Sequence, residues 1–146
     1  MLATGCRDRP DRDPEPGVAA ALAEQRAQTI RDVRYDLSFV LPADPSQPVT
    51  GRETVRFSLA DVSRPVVLDF EPDAEPVVSV SAAGKPVAAR LVNGHIVIPE
   101  KFLRAGENSF DIVFRAGSAS LNRNPDFMYA LFVPARARLA FPCFDQ

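Results

Sequence analysis

The chain has 146 residues and carries 17 Lys and Arg against 19 Asp and Glu, a formal net charge of −2. This length fits one domain, which buries about 68–70% of the surface of its unfolded chain. A charge balance near zero gives no reason to expect a nucleic-acid partner, because phosphate binding depends on clustered Lys and Arg. A single histidine excludes any metal or catalytic site that needs two imidazoles, and two cysteines are too few for a disulfide-stabilised scaffold.

Residues 1–16 predict a disordered tether. Residues 7–16 read RDRPDRDPEP, and alternating charges with three prolines neither bury apolar surface nor sustain a helix. Before them, Ala3-Thr4-Gly5-Cys6 resembles the lipobox of a bacterial lipoprotein signal, where the cysteine is acylated. Cys6 is therefore a candidate lipidation site that would anchor the protein to a membrane, in the cell envelope or periplasm. The alternatives are a coincidental match and a cytoplasmic protein.

Residues 17–31, GVAAALAEQRAQTIR, predict one amphipathic helix, because Ala, Leu, Glu, Gln and Arg are good helix formers. The apolar face of this helix is formed approximately by Val18, Leu22, Ile30 and Val33. The charged Arg26 is a weak point in that face.

The hydrophobic period then changes to two, which predicts half-buried strands. Seven short strands are expected, at residues 33–39, 49–59, 65–70, 77–81, 87–92, 95–98 and 108–114. Asn93-Gly94 is a strong hairpin signal, and residues 101–105 favour a single helical turn. The inward-facing residues of the two longest patterns are Val55, Phe57 and Leu59, and Phe110, Ile112 and Phe114. The pattern predicts a mainly β domain, an antiparallel sheet or sandwich with one N-terminal helix, over residues 17–146.

The residues alone predict no catalytic residue and no metal site. His95 stands alone on a strand after a turn, so we interpret it as a strand-end side chain covering the sheet rather than a ligand or base. Cys143 lies between Phe141-Pro142 and Phe144, where a thiol is buried and un-ionised rather than an activated nucleophile.

Residues 121–146 form an apolar, aromatic tail dotted with arginines and are expected to pack against the sheet. Interleaved arginines and aromatics are also found at nucleic-acid surfaces. We favour a structural role, in which the arginines pair with carboxylates such as Asp126 and Asp145 and the aromatics form core. The arginines are Arg115, Arg123, Arg136 and Arg138, and the aromatics Phe127, Tyr129 and Phe132.

Residues 138–145, RLAFPCFD, resemble the A-R-x-A-F-P-C-F-D-E-P segment in the N-terminal domain of the aminopeptidase N family of zinc metallopeptidases. The strand patterns at residues 33–39, 51–59 and 67–69, and the run at residues 103–108, occur there in the same order. The resemblance spans roughly residues 31–146. It implies a saddle-shaped β-domain that precedes a thermolysin-like catalytic domain.

The resemblance also implies which parts of the enzyme this chain does not contain. The family binds zinc with H-E-x-x-H and a distant Glu, and the substrate amine with G-A-M-E-N, and neither motif is present in this sequence. The expected cofactor of this chain is therefore none, with zinc in a catalytic domain of the same polypeptide. That domain and its peptide substrate are the implied partners, and residues 17–146 would be a β-domain incomplete at its C-terminus. Its implied role is to cover the cleft of an enzyme that removes N-terminal residues from peptides.

Leu131 and Val133 are the candidate substrate-pocket residues by this resemblance. They lie seven and five residues before Arg138, where family members place Gln and then Glu or Gln, which reach the substrate's amino end. Apolar side chains accept no hydrogen bond from an amine. Four interpretations stay open: the catalytic domain alone binds the amine, the alignment shifts locally, the parent enzyme is divergent or inactive, or both side chains pack in the core.

A different class of function is a stand-alone β-sandwich module for binding or adhesion, tethered through a lipidated Cys6. The nucleotide sequence after Gln146 discriminates the two, because only the enzyme predicts continuation towards H-E-x-x-H.

Overall fold

The computed structural model describes residues 13–145. The first regular element among the described residues is a helix, α1 (Ala20–Thr29), which runs directly into the first of ten strands. The strands are β1 (Ile30–Val40), β2 (Thr50–Leu59), β3 (Val66–Asp69), β4 (Val78–Ala82), β5 (Lys85–Pro86), β6 (Arg90–Val92), β7 (His95–Ile98), β8 (Gly106–Arg115), β9 (Leu121–Arg123) and β10 (Met128–Ala130). Short 3₁₀ turns occupy Glu100–Phe102 and Ala137–Leu139.

The strands form antiparallel sheets. A five-stranded sheet has the order β1-β2-β8-β4-β5, a three-stranded sheet the order β3-β7-β6, and β9 pairs with β10. The longest ladder joins β2 to β8 without a register break, from Thr50↔Arg115 to Leu59↔Gly106. The prediction of a mainly β fold with antiparallel sheets and one N-terminal α-helix is confirmed.

The core lies between the five-stranded and three-stranded sheets. Val55, Phe57 and Leu59 of β2 are buried, as predicted, together with Phe110, Ile112 and Phe114 of β8. They pack in one cluster with Val66 and Leu68 of β3 and Ile96 and Ile98 of β7. A Cβ at Gly51 would come within 2.2 Å of the Phe114 ring, so only glycine fits this close contact.

Several boundaries differ from the predictions. The helix is shorter than residues 17–31, because Ile30 already pairs with Leu59 in the sheet. The predicted helical turn at residues 101–105 is the 3₁₀ turn Glu100–Phe102. Asn93 and Gly94 form the predicted hairpin between β6 and β7, with φ of 50° and 78°, the left-handed values that such a turn requires.

Cys6 and most of the predicted tether over residues 1–16 lie outside the described residues. The last residues of that range contact the β6–β7 hairpin: an Asp13 carboxylate oxygen lies 2.8 Å from Arg90 Nη1, and Asn93 Nδ2 donates to the carbonyl of Pro14. Within residues 13–145, no helix is both long and apolar enough to cross a membrane.

Candidate functional site

The most exposed apolar surface of the C-terminal region is on β10 and the residues around it. We call Phe127, Met128, Tyr129, Leu131 and Val133 the apolar strip. Their exposed fractions run from 42% at Leu131 to 60% at Phe127 and 69% at Val133. The rings of Phe127 and Tyr129 stack with centroids 6.5 Å apart and planes at 16°. A group of exposed apolar side chains marks an interaction site more often than an isolated one does.

The predicted packing of the tail is wrong for this strip. Phe127 and Tyr129 are not core residues, and Leu131 and Val133 do not pack in the core. The physical reason is that β10 pairs with β9 in a separate two-stranded sheet. The predicted packing is confirmed further along the tail, where Ala140 and Cys143 are buried and Phe141 and Phe144 pack against the core cluster.

Backbone hydrogen bonds hold the strip in place. The Leu131 N–H donates to the carbonyl of Ser120 at 2.9 Å, so the chain after β10 is tied to the segment before β9. Phe132, between two exposed strip residues, turns inward and packs edge-to-face on Phe141 with centroids 5.5 Å apart. The strip is therefore a surface supported by an anchored backbone.

Two arginines of the tail hold the β9–β10 hairpin, which carries the strip, against neighbouring loops. Arg123 donates from its guanidinium to carbonyls of the β1–β2 connection, at 2.5 Å to Pro42, 2.8 Å to Gln47 and 3.0 Å to Asp44. Arg136 donates from Nη2 to the carbonyl of Ala119 at 2.7 Å. Arginine forks that bond to backbone carbonyls hold loops together, so Arg123 and Arg136 have a structural role. Their acceptors are carbonyls, so the predicted pairing with carboxylates is wrong for these two, while Arg138 Nη1 lies 3.9 Å from Asp145 Oδ2, as predicted.

A second cluster surrounds the buried carboxylate of Asp69 at the end of β3. Arg26 donates to both carboxylate oxygens, at 2.8 and 2.6 Å, and also to the carbonyl of Val67. His95 Nδ1 lies 2.9 Å from Oδ1, and the backbone N–H of Asp145 donates to Oδ2 at 3.0 Å. Burial acts to raise the pKa of Asp69, but the bonds from His95 and Arg26 outweigh it and hold that pKa below its usual value.

This cluster was not predicted from the sequence. Arg26 is the buried residue of α1, not a weak point of its apolar face. His95 is 2% exposed and is bound at both ring nitrogens, so the prediction of a side chain that only covers the sheet is wrong. The available signal was an arginine on an otherwise apolar helix face and an aspartate inside an apolar strand, since buried charges require partners. Asp69 therefore joins α1, β3, β7 and the C-terminal segment.

Glu53 is a different kind of buried acid. It lies on the inward face of β2 beside Val55, fully buried, and neither carboxylate oxygen has a hydrogen-bond partner among the described residues. Burial raises its pKa to about 8, so the side chain is mostly protonated at neutral pH.

Cys143 is buried, as predicted. Its side chain is buried, and burial, with Asp145 and Asp69 nearby, raises the pKa of the thiol. In the described range 13–145, no group of three or more His, Cys, Asp or Glu side chains could hold a metal ion. These described residues therefore offer no set of ligands that fits zinc.

The fold is shared with solved zinc metallopeptidases. The structure of the M1 zinc metallopeptidase from Deinococcus radiodurans matches with a TM-score of 0.62 and 18% identity, over 80% of this chain and 29% of that chain. A variant of that enzyme bound to a Tyr-Ser-Ala substrate matches with a TM-score of 0.59 and 19% identity, over 81% and 30%. A two-domain M1 zinc metallopeptidase variant bound to L-tryptophan gives the same values. No protein-family model matches the chain, and no curated protein matches it.

These matches define the fold of this chain as that of one portion of an M1 zinc metallopeptidase. The chain spans about 30% of the length of the enzymes it matches, a share consistent with the N-terminal domain that the F-P-C-F-D segment implies. At 18–19% identity the likeness extends to the fold alone.

Proposed function

We propose that this chain is the non-catalytic N-terminal β-domain of a zinc metallo-aminopeptidase. Its role is to cover one side of the catalytic cleft and to limit access to peptides with a free N-terminus. The observation that carries the proposal is the apolar strip, which includes both positions, Leu131 and Val133, that the family resemblance assigns to the substrate's amino end.

The exposure of the strip supports a docking role. Fully burying an exposed large apolar side chain contributes about 1.5–3 kcal/mol. The five side chains of the strip are 42–69% exposed, so covering them would contribute part of that free energy for each. The anchoring bonds of Leu131 and Arg136 keep its backbone in place before docking, which lowers the entropic cost of association.

The apolar character of Leu131 and Val133 sets what they contact. Neither accepts a hydrogen bond from a substrate ammonium, so the amine is bound by the catalytic domain, and these two side chains contact apolar surface of the substrate or of that domain. Zinc and its ligands belong to the catalytic domain, which together with the peptide is the partner of this chain.

The nucleotide sequence that follows the codon of Gln146 tests the proposal. We expect an in-frame continuation that encodes H-E-x-x-H and a distant Glu. The 146-residue chain alone should not hydrolyse aminoacyl anilides, even with excess zinc, and zinc-dependent turnover by the purified chain would contradict the non-catalytic role.

The A-T-G-C match at Cys6 favours a second candidate, a stand-alone β-sandwich lipoprotein module for binding or adhesion. A stop codon directly after Gln146 would support this candidate over the enzyme.

The location proposed for either candidate is the cell envelope, with Cys6 acylated. In cell fractionation, the native protein should partition with membranes, and Cys6→Ser should release it or leave it unprocessed. Recovery wholly in the cytosol with a free thiol at Cys6 would remove the anchor and leave the enzyme proposal intact.

A further inference from the structure

His95 is buried between two oxygens that face its two ring nitrogens. Nδ1 lies 2.9 Å from Asp69 Oδ1, and Nε2 lies 3.0 Å from the backbone carbonyl oxygen of Glu15. The ring is 2% exposed, so water does not replace either contact readily. The second contact joins the N-terminal segment, which we define as residues 13–16, to the first residue of β7.

Counting donors and acceptors fixes the protonation state that this geometry needs. A backbone carbonyl can only accept, and an Asp69 carboxylate that is already bound by Arg26 is ionised and also can only accept. A neutral imidazole carries one N–H, so one of the two contacts would set a nitrogen lone pair against an oxygen lone pair. Only the imidazolium donates at both ends.

The charges around the ring favour that state on balance. Burial and the Arg26 cation oppose protonation of His95, while the bonds to Asp69 and Glu15 and the Asp69 charge favour it and raise its pKa. Several other charged groups on neighbouring elements pair with one another. Arg138 lies near both Glu71 and Asp145, and Asp13 pairs with Arg90.

The two hydrogen bonds of His95 differ in strength, and the weaker one is lost when the ring is deprotonated. The bond to Asp69 is buried and made to a charged acceptor, so the remaining proton stays on Nδ1. The bond to Glu15 is made to a neutral carbonyl and is then replaced by repulsion. The remaining contacts of the N-terminal segment, Asp13 with Arg90 and the Pro14 carbonyl with Asn93, are exposed and weak.

We propose that His95 is a protonation-dependent latch. As an imidazolium it holds residues 13–16 on the β6–β7 hairpin, and as a neutral imidazole it releases them. The docking of residues 13–16 on the β6–β7 hairpin would then depend on pH.

The test is an NMR titration of the ¹⁵N-labelled chain from about pH 5 to about pH 9, across the ordinary histidine pKa near 6.5. Since His95 is the single histidine, its ring nitrogens report protonation and tautomer without ambiguity. We expect a midpoint above the ordinary value and a neutral form protonated at Nδ1. As pH rises through the His95 midpoint, the backbone order parameters of Glu15 and Gly17 should fall from about 0.85 to below about 0.6.

Matched variants separate the latch from other titrations. Glu53→Gln removes the other buried group among the described residues that titrates in this range, and it should leave the His95 midpoint unchanged. Arg90→Gln removes the exposed ion pair with Asp13, and it should also leave the His95 midpoint unchanged. His95→Gln should abolish the pH dependence of Glu15 order. A ring that is already half neutral at or below pH 6.5, or a Glu15 whose order does not change across the His95 midpoint of the unsubstituted chain, would overturn the proposal.

Discussion

The space between the two main sheets and the apolar strip are both rich in aromatic and aliphatic side chains, but only the first is buried within this chain. Phe57 and Phe110 stack in the core with centroids 6.0 Å apart and are 1% exposed. Phe127 and Tyr129 stack in the same way at 6.5 Å, yet both are more than half exposed. Apolar sequence therefore predicts burial only where a second layer of the same chain exists.

The first way to test this comparison is to remove the polar centre of the buried region. Asp69→Ala should lower the free energy of unfolding by about 3–5 kcal/mol, because Arg26 and His95 would be left as buried charges without their acceptor. Chemical denaturation measures the change. Glu71→Gln is the control, since Glu71 pairs with Arg138 at a half-exposed site, and it should change the free energy by less than about 1 kcal/mol. Equal effects of both variants would show that the cluster is not a stabilising centre.

The second prediction compares the two stacked aromatic pairs directly. Phe57→Ala should cost about 3–5 kcal/mol, since it leaves a cavity against Phe110 and Phe144. Tyr129→Ala should change the free energy of unfolding by no more than about 0.5 kcal/mol, because the ring is 52% exposed. A cost for Tyr129→Ala close to that for Phe57→Ala would mean that the strip is packed in solution.

A pH-dependent effect is expected from Glu53, the buried acid beside the core. Its pKa is raised from 4.5 to about 8 by burial, so the folded chain binds more protons than the unfolded chain between these values. Stability should therefore fall as pH rises through that window, by up to about 1.4 kcal/mol per pH unit at its steepest. Unfolding free energies of the chain and of Glu53→Gln, measured between pH 5 and pH 8, should diverge, with the variant showing the shallower slope. Parallel slopes would indicate that Glu53 is solvated in the folded state.

Most of the fold could be predicted from the sequence, because the period-two patterns of β2 and β8 and the Asn93-Gly94 turn are local signals. The Asp69 cluster could not, since its members are separated by 26 and 43 residues along the chain and meet only when the helix docks. The exposure of Leu131 and Val133 was also beyond local pattern. It depends on β9 and β10 forming their own small sheet, which no side-chain period reports.

The most direct test of the central claim, that the apolar strip docks on the rest of its polypeptide, is carbene footprinting with residue-level mass spectrometry. The 146-residue chain would be compared with the same chain extended through its downstream reading frame. Labelling of Phe127, Tyr129 and Val133 should be strong in the short chain and largely lost in the long one, while buried Phe57 stays unlabelled in both. Equal labelling of the strip in the two chains would contradict the claim.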